Sequence, residues 1–171
     1  MKKIIILSGD PNSINSEIII KSWKKLSVTT KKKIYFISNN ELLKKQFKKL
    51  KYSIKTKVVQ DFKEDVKGNY LKIINLKLKF TNPFKVKKKV ASKFIIESLN
   101  LSHKIASENR DVGLINCSID KKLLNKKKIG VTEFLASKCK IKNNSEVMLI
   151  GNNKLSVAPL TTHIDVKEVS K

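Results

Sequence analysis

Four apolar residues in succession, Ile4 to Leu7, follow the opening lysines, and the next apolar positions recur at a different spacing. A short unbroken apolar run suits a strand buried on both faces, so KKIIIL (2–7) predicts a strand. The turn GDPNSINS follows, and EIIIKSWKKL then shows the three-to-four-residue apolar spacing of a helix. KIYFIS (33–38) predicts a second strand, NNELLKKQFKKL (39–50) a helix with Asn40 as its N-cap, and TKVVQ (56–60) a third strand. This βαβαβ order implies parallel pairing with right-handed crossovers.

LKIINLKLKF (71–80) predicts a strand in which Leu76, Leu78 and Phe80 alternate with lysines. The clearest helix spans 90–109, with Ala91, Phe94, Ile95 and Ile105 on one face and Lys93, Glu97 and Lys104 on the other. His103 falls on the polar side and reads as a solvated histidine. DVGLINC (111–117) predicts a further buried strand, TEFLASKC (132–139) a short helix, and EVMLIGNNKLSVAPL (146–160) a hairpin turning at Gly151-Asn152-Asn153. The whole is an α/β protein.

Composition adds little to that picture. With 40% hydrophobic residues, five glycines and three prolines in 171 residues, the chain is globular. No apolar run nears the roughly 20 residues that span a bilayer, and the first is shorter than a signal-peptide core of about 7–15. A cytoplasmic protein with no membrane partner is expected. The two cysteines, Cys117 and Cys139, are too few and too far apart for a disulfide framework or a CxxC motif. A formal charge of +24 invites a nucleic-acid reading, but Arg110 is the single arginine among 38 basic residues. Specific nucleic-acid sites favour arginine forks and aromatic platforms, so solvated lysine surface with weak nonspecific polyanion attraction is the expectation.

Four segments carry candidate chemistry. The loop SGDPNSINSE lies at a strand's carboxyl end, where α/β proteins bind ligands, and offers Asp10 and Glu17 as cleft-lining groups. With Gly9 alone it lacks a GxGxxG fingerprint, and a plain turn with Asn15 or Ser16 capping the helix remains open. The turn Ser118-Ile119-Asp120-Lys121 follows another strand, and Asp120 and Lys121 either line the same cleft or serve a helix cap. Thr132 either caps the next helix or binds a ligand, and Glu133 suits a first helical turn. Finally His163, one of two histidines, follows Thr161-Thr162. An imidazole suits a divalent metal, but a mononuclear site takes three or four ligands, and this chain alone does not supply them.

Taken in order, these segments resemble the N-terminal part of the 4-hydroxythreonine-4-phosphate dehydrogenase family of vitamin B6 biosynthesis. GDPNSINSEIIIK resembles the family's Gly-Asp/Glu-Pro-Ala-Gly-Ile-Gly-Pro-Glu loop through Gly9, Asp10, Pro11, Ile14 and Glu17. SIDKKLLN resembles its Pro-Ile-Asn-Lys-x-x-Leu turn through Ile119, Lys121 and Leu124. GVTEFLA resembles Gly-His-Thr-Glu-x-Leu-Ala, and VAPLTTHIDVKEV resembles Val-Ala-Leu-x-Thr-Thr-His-x-Pro-Leu-x-x-Val. The departures are Val131 in place of the substrate-binding histidine, Ser13 and Asn15 in place of glycines, and Ser16 and Ser118 in place of prolines.

The resemblance implies an isocitrate/isopropylmalate-dehydrogenase-like three-layer α/β/α architecture, incomplete in this chain. Residues 1–110 would form the first domain and 111–171 the start of a second. It implies oxidation of the small phosphorylated amino acid 4-phosphohydroxy-L-threonine by NAD or NADP, followed by decarboxylation, in a homodimer that uses zinc, magnesium or cobalt. Thr132 would contact the substrate, and His163 would be the first of three histidine metal ligands, the others lying beyond residue 171. On that reading these residues are inactive by themselves. Two other readings stay open: a complete small basic α/β protein that binds polyanions nonspecifically, and a noncatalytic relic of the family.

Overall fold

The computed structural model describes residues 3–124, 130–139, 147–159 and 167. They form two compact units, Met1–Leu135 and Ala136–Lys171. The first is built on a five-stranded parallel sheet. Its strands are β1 (Lys3–Leu7), β2 (Ile34–Ser38), β3 (Thr56–Val59), β4 (Leu71–Asn75) and β5 (Val112–Asn116), in the order β3-β4-β2-β1-β5. Ile5 stands between Tyr35 and Leu114, and Ile6 between Phe36 and Ile115. The apolar runs have their physical reason here, because β1 and β2 carry helices on both faces and need apolar side chains in both directions.

Helices α1 (Asn15–Lys25) and α3 (Asn40–Lys49) cover one face. Ile19, Ile20, Trp23, Leu43 and Phe47 pack there against Ile34, Phe36 and Ile73, with Trp23 edge-on to Phe36 at 5.9 Å between ring centroids. The long helix α4 (Lys88–Glu108) covers the other face, where Phe94, Ile95 and Leu99 bury Ile5, Leu7, Tyr35 and Ile37. The 3-10 turn Lys121–Leu123 and helix α5 (Val131–Lys138) add Leu123, Leu124 and Phe134 to this second core. The result is the three-layer α/β/α arrangement. Each buried Ile, Leu or Phe side chain contributes roughly 1.5–3 kcal/mol.

Local details depart from the sequence reading. The cap of α3 is Asn39, whose side chain accepts from Leu42 N at 2.8 Å. Asn40 is instead helical, with its N–H donating to Asn75 and its side-chain oxygen accepting from Thr56 Oγ1, so it ties the ends of β3 and β4 to α3. Neither Asn15 nor Ser16 caps α1. Ile14 holds the cap position without a side-chain bond, and Ser13 Oγ takes the Asn15 N–H at 3.1 Å. Strand β4 ends at Asn75, and Leu76, Leu78 and Phe80 pack as a loop against the α4 core. The predicted buried strand at 111–117 is the half-exposed edge strand β5, with Ile115 51% exposed, because nothing described pairs with its outer side.

One helix escaped the sequence reading altogether. Helix α2 (Val28–Lys33) buries no residue, so it has no apolar stripe to read, and its start is set by Ser27 Oγ accepting from Thr30 N. The boundary expected after residue 110 falls just before β5, which pairs with β1 along all five residues. The second unit contains an antiparallel hairpin of β6 (Ile150–Gly151) and β7 (Ser156–Val157). Its turn is organised by Asn152, whose side chain accepts from the N–H groups of Lys154 and Leu155.

Candidate functional site

In a parallel sheet the loops leaving the carboxyl ends of neighbouring strands converge, and here those leaving β1 and β5 are joined by hydrogen bonds. Cys117 N donates to Leu7 O and Asp10 N to Ser118 O, each at 3.0 Å, and Asn15 Nδ2 reaches the same Ser118 carbonyl at 2.7 Å. Gly9 makes the approach feasible. Its φ is +73°, and a Cβ at that position would collide with Asn15 Nδ2 and lie 2.5 Å from Ser118 O.

Asp10 follows that glycine, half-buried, with one carboxylate oxygen accepting from Asn12 N at 2.8 Å. Burial raises its pKa above the ordinary 3.8, the Asn12 bond opposes this, and the negative charge of Asp120 adds to it. Asp10 therefore feels the charge of Asp120 across the two loops. Asp120 also accepts from Lys122 N at 2.9 Å and so starts the 3-10 turn. The sequence reading thus placed two acidic residues at strand ends, and the fold brings them into electrostatic contact.

The other sequence candidates are placed differently. Glu17 points outward from α1 in an exposed pair with Lys21 at 2.6 Å. Lys121 is exposed on the 3-10 turn. Thr132 is exposed in the first turn of α5, inside the helix rather than capping it, while Val131 packs on the α4 core. His163 lies outside the described residues, as do Thr161 and Thr162. Burial pushes the Cys117 thiol up to about 11, so it stays protonated at neutral pH. Among the described residues no group of three His, Cys, Asp or Glu side chains could hold a metal ion.

Two residues that support the loop had no sequence signal. Asn12 makes both bonds of an amide to Val86, donating to its carbonyl at 3.0 Å and accepting from its N–H at 2.7 Å. Gln46, 2% exposed, donates from one nitrogen to Pro11 O at 2.8 Å and Pro83 O at 2.7 Å. These contacts span 35 to 74 residues along the chain, so no local pattern announces them. Together they weld the β1 loop to the segment leading into α4. Among the described residues, three buried polar atoms lack a hydrogen-bond partner: Asn15 Oδ1, Ser16 Oγ and Ser38 Oγ. All three belong to the carboxyl end of β2 or the start of α1, on the ligand-binding edge of such a sheet. Beside them a cleft of about 320 Å³ runs between α1 and β5, lined by Asn15, Ile18, Ile115, Asn116 and Ser118 among others.

Comparison with known proteins agrees with this architecture. The family model described as pyridoxal phosphate biosynthetic protein PdxA matches residues 29–171. A 4-hydroxythreonine-4-phosphate dehydrogenase of Erythrobacter litoralis (strain HTCC2594) is 30% identical over 83 residues, 47% of this chain and 25% of that protein. The crystal structure of a 4-hydroxythreonine-4-phosphate dehydrogenase from Klebsiella pneumoniae matches with a TM-score of 0.83 at 20% identity, covering 98% of this chain and 53% of that one. One from Burkholderia phymatum matches with a TM-score of 0.81, also at 20% identity, covering 98% and 52%. The chain spans about half the length of these solved structures. The match over 29–171, on a sheet of the same fold, shows that this chain belongs to the PdxA family of pyridoxal phosphate biosynthesis.

Proposed function

We propose that this chain is the N-terminal part of a 4-hydroxythreonine-4-phosphate dehydrogenase that oxidises 4-phosphohydroxy-L-threonine to 2-amino-3-oxo-4-phosphooxybutanoate, which then loses carbon dioxide. The observation that carries the reading is the family match over residues 29–171, and the chain's span of about half the solved relatives supports its being a part. The whole enzyme is read as a cytoplasmic homodimer of two-domain subunits, with the reaction set in the cleft between domains. His163 is read as one metal ligand and Thr132 as a substrate contact. When bound, a divalent cation would favour ionisation of the coordinated hydroxyl and the nicotinamide of NAD or NADP would take the hydride.

This chain's own contribution is to shape the loop edge. Asp10 and Asp120 supply acceptors suited to the ammonium and hydroxyl groups of an amino acid, and Lys121 supplies a cation suited to its phosphate. The raised pKa of Asp10 lets its carboxyl exchange a proton closer to neutrality than a solvated aspartate would. Val131 removes a polar contact of the family pattern, and a missing hydrogen-bond partner discriminates strongly between substrates, so a related phosphorylated hydroxy amino acid is the second reading.

The test is to express the full product of the locus and follow formation of reduced nicotinamide. Turnover of 4-phosphohydroxy-L-threonine with zinc, magnesium or cobalt, abolished by a chelator, is expected. No turnover with any of these metals and either nucleotide would sink the activity assignment.

A further inference from the structure

The opposite edge of the sheet, where the strands begin, carries a second concavity that the proposed dehydrogenase chemistry does not use. It measures about 580 Å³ and lies where the end of α1, helix α2 and the entries to β3 and β4 meet. That size falls within the range of about 300–1,000 Å³ typical of small-molecule sites.

Three ammonium groups line it, from Lys24, Lys31 and Lys55, and neither Asp nor Glu is among its lining residues. Two of these cations are held by rings rather than by carboxylates. Lys31 Nζ sits 5.5 Å from the centroid of Trp23, and Lys24 Nζ 4.6 Å from that of Tyr52. Like charges gathered in a concavity with low-dielectric walls focus a positive potential there, and no charge of the wall itself offsets it. The remaining wall is aromatic and polar. Tyr70 lies close along the loop because Gly68, at φ +101°, has no Cβ, and one there would lie 2.9 Å from Tyr70 Cε2. Asn69 and Ser53 add hydrogen-bonding groups beside it.

Lysine is abundant in this chain, so a lysine-lined hollow alone means little. A hollow of about 520 Å³ beside Lys45, Lys48 and Lys49 has no aromatic wall, and one of about 700 Å³ beside Lys89 and Lys93 includes Glu97. The concavity at Trp23 combines unopposed cations with aromatic surface. We propose that it binds a nucleoside di- or triphosphate, with the phosphates on Lys31 and Lys55 and the base against Tyr70. This proposal stands independently of the dehydrogenase reading.

Trp23 is the single tryptophan of the chain and lines both this concavity and the cleft between α1 and β5, so its fluorescence reports binding and the variants below assign it to one of the two. The 171-residue chain is titrated with ATP, ADP and inorganic tripolyphosphate at physiological ionic strength. The expected result is saturable quenching, with ATP bound roughly tenfold more tightly than tripolyphosphate because only ATP stacks a base. A Lys31→Gln/Lys55→Gln variant should lose about tenfold in ATP affinity, while Lys48→Gln/Lys49→Gln, at the neighbouring hollow, should stay within about twofold. Tyr70→Leu should remove the preference for ATP, and Tyr70→Phe should keep it. Absence of saturation, or equal losses in the two lysine pairs, would mean diffuse attraction to a +24 chain and overturns the site. Equal affinity for ATP and tripolyphosphate overturns the nucleoside assignment.

Discussion

Lys72 is a tightly constrained charge. It stands in β4 at 3% exposure, donates to Lys32 O at 2.5 Å, and lies 3.8 Å from the centroid of Tyr35. Burial, helped by the nearby charge of Lys3 and opposed by Asp65, lowers its pKa from 10.5 to about 8. Between those values the unfolded chain holds a proton that the folded chain has released, so stability should rise as pH climbs through that window. Urea unfolding across it should show the rise, and Lys72→Met should flatten it. Gly9 is the matching backbone case. Gly9→Ala should cost about 2 kcal/mol or more in urea unfolding, since the residue needs both its positive φ and the room for Ser118 O.

Among the elements, caps and clamps separate by how much they hold. Asn39 caps α3 and also donates to Leu76 O at 2.7 Å, whereas Ser27 caps a helix that buries nothing. Thermal unfolding should therefore show a loss of about 2 kcal/mol for Asn39→Ala and about 0.5–1 kcal/mol for Ser27→Ala. Gln46→Leu orphans the Pro11 and Pro83 carbonyls and should cost about 2–3 kcal/mol. Asn12→Ala, at an exposed position, should cost less but speed hydrogen exchange at Val86 N, because its acceptor is gone. If exchange at Val86 is unchanged, the two loops are not held together by that amide.

On the scale of the whole molecule, the first unit leaves apolar surface beside β5, whose outer edge pairs with no strand among the described residues. Ile18 and Ile115 are exposed there, along the cleft between α1 and β5, and Ile14 is exposed at the start of α1. Free strand edges with apolar flanks are templates for association. Ile115→Lys should reduce both hydrophobic-dye binding and self-association of the 171-residue chain, measured by fluorescence and light scattering. Unchanged dye binding would place the accessible apolar surface elsewhere.

The strands β1 and β2 and the helices α1, α3 and α4 were legible in the sequence because each buries a face, and burial leaves a period in the apolar positions. The ordered motifs around Gly9, Lys121, Thr132 and His163 made the family legible, and the family match over residues 29–171 bears that resemblance out. Helix α2 left no period because it buries nothing. The edge position of β5 was hidden because an apolar run records affinity for a core without recording how many neighbours the strand has. Only the tertiary structure decided that Asp10 senses Asp120 and that Asn12 and Gln46 hold the loop, because those partners meet through the sheet order and not through spacing along the chain.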